Sequence, residues 1–121
     1  MYNKENVFAK ILRGEISCDK IYENNFALVF HDLYPNAPVH ALAIPKKEYI
    51  HWNDFYTKAS VDEIHGLTDA INKAVELLDL KNSGYRIATN IGIHGMQTIY
   101  HFHYHILGGD FLGEMVQMKS L

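Results

Sequence analysis

The clearest feature of the hydrophobic pattern is one long amphipathic helix in the middle of the chain. Ser60-Val-Asp-Glu63 reads as a capping box, in which a serine and a glutamate satisfy the free backbone N–H groups of a first helical turn. Lys81, Asn82 and Gly84 supply a C-terminal stop. The pattern predicts a helix that runs through Leu80, with apolar positions at helical spacing at Ile64, Leu67, Ile71, Val75 and Leu78.

Shorter apolar segments flank this helix. Residues 6–12 are predicted to form a short helix, because Phe8, Ile11 and Leu12 share one face, and Gly14 stops it. Several other segments read as strands, most of them linked as hairpins, so the chain has an α+β pattern rather than alternating βαβ units. The predicted strands are residues 20–22, 27–31, 39–44, 85–90 and 99–107.

The last predicted strand alternates two kinds of side chain. Residues 99–110 read IYHFHYHILGGD, with histidine at positions 101, 103 and 105. Successive side chains of a strand point to opposite faces, so the histidines are predicted to share one face, with neighbours about 6.6–7 Å apart and the outer two roughly 13 Å apart. The opposite face, predicted to meet the core, consists of Tyr100, Phe102, Tyr104 and Ile106.

Composition restricts the class of protein. The chain has 121 residues, of which 48% are hydrophobic and 21% charged, and this suits a single domain over residues 1–121. The net charge of −3 argues against a nucleic-acid partner. The N-terminal segment has no signal-peptide pattern and no stretch has the length of a membrane span. With Cys18 as the single cysteine, we expect a cytoplasmic protein with no disulfide and no membrane partner.

Three interpretations of the histidine row differ in their chemistry. Surface histidines would not require strict register with an apolar face. A shared zinc ion is geometrically unfavourable, because Zn–N bonds are only ~2.0–2.1 Å long and the lone Cys18 offers no cysteine cluster. A reaction centre remains, since neutral imidazole is a nucleophile near pH 7 and adjacent imidazoles disfavour each other's protonation. The middle histidine, His103, would then attack an anionic phosphorus centre while flanking groups bind its oxygens.

The segment His101-Phe-His103-Tyr-His105-Ile-Leu follows H-φ-H-φ-H-φ-φ and resembles the signature of the histidine triad (HIT) family. VFAKILRGEI, FHDLYPNAPVHALAIPKK, GYRIATN and YHFHYHILGG look like segments of its Hint branch, the nucleoside phosphoramidases, and the tail GGDFLGEMVQMKSL resembles bacterial-type members. The resemblance implies a HIT-like α+β fold with an antiparallel sheet of about five strands, one long and one short helix, and a sheet extended across a homodimer. It implies no cofactor and no metal.

The resemblance also implies residue roles. His103 is implied to attack the α-phosphorus and form a nucleotidyl-histidine, His105 to contact the phosphate and leaving group, and His101 and His40 to orient and polarise the others. Asp32 is implied to hold the ribose hydroxyls, although it also reads as a turn-initiating residue. The implied nucleotide pocket further includes Phe8, Ile11, Ile16, Phe30, His31, Leu33, Asn90, Gly95, Met96, Gln97 and Thr98, the last with a catalytic role.

Three positions depart from the branch pattern. Gly95-Met96 stands where two glycines are usual, Thr98 replaces a serine, and Asp110 follows Gly108-Gly109 where a basic residue is common. The resemblance implies a purine nucleoside phosphoramidase that acts on adenosine or guanosine 5′-phosphoramidates and releases the nucleoside monophosphate. The alternatives are a dinucleoside polyphosphate hydrolase of the same superfamily, a nucleotide-binding or adaptor protein with vestigial catalysis, and a zinc-binding protein.

Overall fold

The fold is an α+β arrangement built on one antiparallel sheet, as predicted. The structure is a computed structural model that describes residues 1–116, so the end of the bacterial-type tail, residues 117–121, lies outside the described residues. The elements are α1 (Val7–Leu12), β1 (Lys20–Glu23), β2 (Ala27–His31), β3 (Val39–Pro45), α2 (Trp52–Lys58), α3 (Val61–Leu77), β4 (Arg86–Ala88) and β5 (Tyr104–Gly108). The strand order is β1-β2-β3-β5-β4, with antiparallel neighbours throughout.

The long helix α3 begins at the predicted capping box. The Ser60 hydroxyl accepts from the Glu63 N–H, and the Glu63 carboxylate accepts from the Ser60 N–H, both at 3.1 Å. The helix ends at Leu77 rather than Leu80, because Asp79 adopts a left-handed φ of 55° that short polar residues tolerate. Leu80 still enters the core. Within residues 1–116 no helix combines the length and apolar character that a membrane span requires.

Helix α2 is an element that the sequence analysis did not predict. His51 caps the helix, since its Nδ1 accepts from the Asp54 N–H at 3.1 Å. Phe55, on the inner face of the helix, is buried. Residues 1–116 therefore contain two short helices and one long one, whereas one short and one long helix were expected. An apolar i, i+3, i+4 pattern at Trp52, Phe55 and Tyr56 was available in the sequence and is typical of a helix.

The last strand is shorter than predicted. β5 covers only residues 104–108, and residues 99–103 approach it without joining the sheet. Side chains hold this segment instead: the Gln97 amide donates to the carbonyls of Ile50 and Ile99 at 2.7 and 3.1 Å. Phe102 is fully buried as predicted, whereas Tyr100 is exposed and does not join the core face. β4 likewise covers only residues 86–88 of the predicted 85–90.

The two faces of the sheet carry separate apolar clusters. Alternate residues of β2 and β3 point to opposite faces, so Ala41 and Ala43 meet α3 while Leu42 and Ile44 meet α1. His105 lies opposite Leu42 in the β3–β5 register and therefore shares the α1 face. That face is covered by α1, so the histidines do not stand on an open surface: His101 is fully buried and His103 is only 6% exposed.

Candidate active site

A cleft of about 210 Å³ lies beside α1 on this face of the sheet. Helix α1 supplies Phe8 and Ile11, while the loop after β2 supplies Asp32 and Leu33. The wall is mainly apolar, with imidazole, hydroxyl and carboxylate groups restricted to a few positions, a composition typical of small-molecule sites. Of the residues implied by sequence, the cleft brings together Phe8, Ile11, Ile16, Phe30, His31, Asp32, Leu33, Thr98, His103 and His105.

The hydrogen bond of His103 fixes which of its ring nitrogens carries the proton. Nδ1 lies 2.7 Å from the backbone carbonyl oxygen of His101. A carbonyl oxygen can only accept, so Nδ1 must donate its hydrogen. In the neutral ring Nε2 then holds a free lone pair, in a residue that lines the cleft. His103 is thus in the tautomer that a nucleophile requires.

His105 is in the opposite tautomer, because hydrogen bonds from Asn36 to His40 and from His40 to His105 determine which nitrogen carries the hydrogen. The Asn36 backbone N–H donates to Nδ1 of His40 at 3.0 Å, so the hydrogen of the neutral His40 ring is on Nε2. That Nε2 lies 2.9 Å from Nδ1 of His105 and 3.4 Å from a carboxylate oxygen of Asp32. Nδ1 of His105 is therefore an acceptor, and its Nε2–H is left as a donor.

The ring of His101 points away from the cleft into a closed polar contact. Its Nε2 lies 2.8 Å from the carbonyl oxygen of Pro45, so Nε2 donates and Nδ1 accepts. The hydroxyl of Tyr2 donates to this Nδ1 at 2.6 Å. His101 is thus satisfied at both nitrogens, and its contribution to the cleft is the backbone carbonyl that binds His103.

Burial controls the charge of the histidine cluster. Desolvation lowers the pKa of His101 and of His105, each to about 4, and lowers the pKa of His103 and of His40 below the usual range. For His105, the neighbouring His103 and His40 lower the pKa further, while Asp32 opposes the shift. All four rings are therefore neutral near pH 7, and the free ring nitrogen of His103 is unprotonated there.

Four residues implied for the nucleotide pocket do not line the cleft: Asn90, Gly95, Met96 and Gln97. The buried Gln97 amide oxygen accepts from the Gly92 N–H at 3.0 Å, while its nitrogen binds the two carbonyls given above. The Asn90 amide donates to the Gly95 carbonyl at 2.7 Å. Both side chains thus shape the loop 91–97. Met96, in that loop, has a left-handed φ of 61° and an exposed side chain.

Sequence reasoning missed several residues of the site. Ser17, Tyr34, Leu42 and Ile99 line the cleft, and the single cysteine Cys18 lines it as well. A pattern could have indicated Tyr34, which stands two residues after Asp32 in the same loop and donates its backbone N–H to that carboxylate at 2.9 Å. Nothing local indicates the bond between Tyr2 and His101, because 99 positions separate them.

One group of side chains has the composition of a metal site. Potential ligand atoms of Asp32, His40 and His105 lie within 4.8 Å of one another. However, the Asn36 N–H occupies Nδ1 of His40, so Nε2 carries the hydrogen and has no lone pair for a cation. Metal binding would have to break that bond or remove a further proton from His40. That the protein needs no metal stays a prediction, and the hydrogen on Nε2 of His40 is a physical reason for it.

Comparison with known proteins extends this picture. Residues 5–120 match the family described as scavenger mRNA decapping enzyme C-term binding. An uncharacterized HIT-like protein of Rickettsia prowazekii is 50% identical over 112 residues, 93% of either chain, and the purine nucleoside phosphoramidase of Escherichia coli is 36% identical over 121 residues, 98% of either chain. A solved histidine triad protein from Clostridium difficile superposes with a TM-score of 0.85 at 36% identity, over 96% of this chain and 100% of the other.

These matches extend over most of the chain and include its histidine motif. The fold and these matches define a histidine triad protein. The chain belongs to the HIT family, and this confirms the resemblance seen in the sequence.

Proposed function

We propose that this chain is a purine nucleoside phosphoramidase that hydrolyses the P–N bond of adenosine or guanosine 5′-phosphoramidates. The observation that carries the proposal is the tautomer of His103, whose Nδ1–H is held by the His101 carbonyl so that Nε2 keeps its lone pair. The 36% identity with the Escherichia coli phosphoramidase supports the same substrate class.

In the proposed reaction, Nε2 of His103 forms a bond to the α-phosphorus as the P–N bond to the amine breaks. The leaving nitrogen takes up one proton from solvent and departs as the neutral amine. Water then attacks phosphorus, the bond to Nε2 breaks, one proton returns to solvent, and the nucleoside monophosphate is released. His105, whose ring centre lies 5.1 Å from that of His103, offers its Nε2–H to a phosphoryl oxygen or to the leaving nitrogen, with Thr98 as a further hydroxyl donor.

Apolar residues and one carboxylate of the cleft suit a purine nucleoside. Phe8, Ile11, Ile16 and Phe30 offer apolar contact to a flat base without requiring one hydrogen-bond pattern, which is compatible with both adenine and guanine. Asp32 lines the same cleft and can accept from the ribose hydroxyls. Removal of this carboxylate in Asp32→Ala should raise KM more for a ribose substrate than for its 2′-deoxy analogue. Equal increases would remove Asp32 from the sugar site.

The decisive experiment compares an adenosine 5′-phosphoramidate with a diadenosine polyphosphate as substrates for the wild-type protein and His103→Ala. We expect preferential turnover of the phosphoramidate, its loss by at least 1,000-fold in His103→Ala, and retained binding of adenosine monophosphate. His94→Ala, which removes an exposed histidine outside the cleft, is the matched control and should behave as wild type. Faster turnover of the polyphosphate would favour the other hydrolase, and substantial turnover by His103→Ala would exclude the nucleophile.

We further propose that the protein acts as a single domain over residues 1–121, in the cytoplasm, as a homodimer. The outer edge of β4 ends the sheet, and its residue Ile87 is 43% exposed. Tyr85 and the stacked pair Trp52–Tyr56 are further exposed apolar side chains. Unpaired strand edges pair readily with another chain, so a second copy would extend the sheet through β4.

Light scattering after size-exclusion chromatography tests this assembly. We expect a dimer for the wild type and a monomer for Ile87→Lys, because a charge at the β4 edge opposes strand pairing. Val61→Lys, at an exposed apolar position at the start of α3, is the control and should remain dimeric. A wild-type monomer at micromolar concentration would refute the proposal.

A further inference from the structure

The carbonyl that orients the nucleophile lies outside the sheet. His103 depends on the backbone oxygen of His101, yet β5 begins only at Tyr104. Next to His101, the Phe102 N–H donates to the Tyr49 carbonyl at 2.7 Å, and this bond joins the backbone of residues 99–103 to another part of the chain. The position of the His101 carbonyl therefore depends on individual contacts rather than on a hydrogen-bonded ladder.

The ring of His101 supplies two of those contacts. It bridges the carbonyl of Pro45, at the end of β3, and the hydroxyl of Tyr2, in the N-terminal segment. The carbonyl oxygen of Pro45 can only accept, so Nε2 of His101 carries the hydrogen. The Tyr2 hydroxyl then donates to the lone pair on Nδ1. Without that donor, a fully buried ring nitrogen would have no partner, and the ring would lose one of the two hydrogen bonds that fix its orientation.

The Tyr2 side chain contacts His101 through its ring as well as through its hydroxyl. The Tyr2 ring meets the His101 ring edge-on with 5.6 Å between centres. Burial raises the pKa of Tyr2, and Asn6, which caps α1 by accepting from the Ala9 N–H at 2.9 Å, opposes that larger effect by lowering the pKa. A series of contacts thus links Tyr2, through the ring and the carbonyl of His101, to Nδ1 of His103.

We propose that Tyr2 is a positioning residue for the reaction: its hydroxyl fixes the ring of His101 and, through the His101 carbonyl, the Nδ1–H tautomer of His103. Tyr2 does not line the cleft, so it acts through His101 and not on substrate. The titratable groups that act on His101 are Tyr2, which binds its Nδ1, and the charges of His103 and Glu48. This inference rests on the proposed function for its kinetic consequence, but the tautomer itself is measurable without substrate.

The test uses Tyr2→Phe, which removes the hydroxyl and keeps the ring. The matched control is Tyr22→Phe on β1, which makes the same change against the cluster on the α3 face. For each variant we would measure adenosine monophosphate affinity, the single-turnover rate with adenosine phosphoramidate, and the ¹⁵N shifts of the histidine rings. We expect Tyr2→Phe to bind the monophosphate within two-fold of wild type, to react about 10-fold more slowly, and to show a mixture of His103 tautomers. Tyr22→Phe should match wild type in all three.

A double-mutant cycle separates this role from a general loss of stability. In a His101→Gln background, Tyr2→Phe should change the rate less than two-fold, because the group through which Tyr2 acts is already gone. A further 10-fold loss in that background would overturn the proposal, as would an unchanged His103 tautomer in Tyr2→Phe. If the wild-type protein does not cleave phosphoramidates, the proposed function fails, while the ring shifts still decide the positioning role.

Discussion

Acid should destabilise this protein through its buried histidines, and His101 permits the effect to be worked out for one residue. Its ring is fully buried, and desolvation lowers its pKa to about 4, compared with about 6.5 in an unfolded chain. As pH falls from 6.5 towards 4, the unfolded state binds a proton that the native state does not. Stability from this group is therefore fully present above pH 6.5 and is lost as the pH falls.

The magnitude follows from the width of that interval. Each pH unit over which one state holds an extra proton changes the free energy of unfolding by about 1.4 kcal/mol, so His101 alone should cost about 2 kcal/mol by pH 5. The loss of stability from His101 reaches its full value of about 3 kcal/mol below pH 4. His105, His103 and His40 shift in the same direction and add to the loss, with His105 discounted for its partial exposure.

Urea unfolding at pH 7 and pH 5 measures the effect, with His101→Gln as the informative variant. The amide of glutamine can still donate to Pro45 but does not titrate, so the loss between the two pH values should be about 2 kcal/mol smaller than in wild type. His94→Gln, at an exposed position, should leave the wild-type loss unchanged. An equal loss in wild type and His101→Gln would refute the assignment of a buried neutral ring.

Three further outcomes are expected. Met96→Gly should raise the free energy of unfolding by up to about 1 kcal/mol in urea titrations, because Met96 holds a left-handed φ that glycine adopts without strain; a decrease would show that the methionine side chain contributes more than its backbone costs. Gln97→Ala should lower it by about 2–4 kcal/mol, since Gly92 N–H and two carbonyls lose their partner, and a near-neutral change would mean that water replaces the amide. Calorimetric titration with Zn²⁺ should show no binding tighter than micromolar at the cluster of Asp32, His40 and His105; a tight site lost in His40→Ala would contradict the tautomer assigned to His40.

The elements that were predicted correctly depend on nearby residues. The capping box of α3 joins positions three apart, and β2 follows its predicted range because its apolar run is bounded by turn residues. Helix α2, which was not predicted, also had a local signal in the spacing of Trp52, Phe55 and Tyr56. Local periodicity was sufficient for most of this fold.

The start of β5 depends on distant residues and could not be predicted from a local pattern. The alternation of residues 99–107 is perfect in sequence, yet the first half of it is held by Gln97, by the Tyr49 carbonyl and by Tyr2 instead of a neighbouring strand. Alternation predicted opposite faces correctly for Phe102 and His103 but could not indicate where pairing begins. The same contacts account for the exposure of Tyr100.

For the candidate site, the resemblance indicated the cleft residues, whereas local spacing alone would have placed Phe8 and Ile11 in an ordinary core. It did not indicate that Gln97 turns inward. That orientation depends on the carbonyl of Ile50, 47 positions earlier, and on the backbone of the same loop. A polar side chain near a site can bind a ligand, or it can hydrogen-bond the backbone of a loop beside the site. The sequence alone does not distinguish these two roles.

The three histidines of the motif differ in which ring nitrogen carries the hydrogen, and this difference determines what each ring can do chemically. Rings of His101 and His105 both accept at Nδ1 and carry hydrogen on Nε2, the first because Pro45 is an acceptor and the second because His40 is a donor. Only His103 has a backbone acceptor at Nδ1, so only His103 is left with a lone pair on Nε2. Burial keeps all three rings neutral near pH 7, so their hydrogen-bond partners, rather than their charges, leave a lone pair on His103 and an N–H donor on His105 at the cleft.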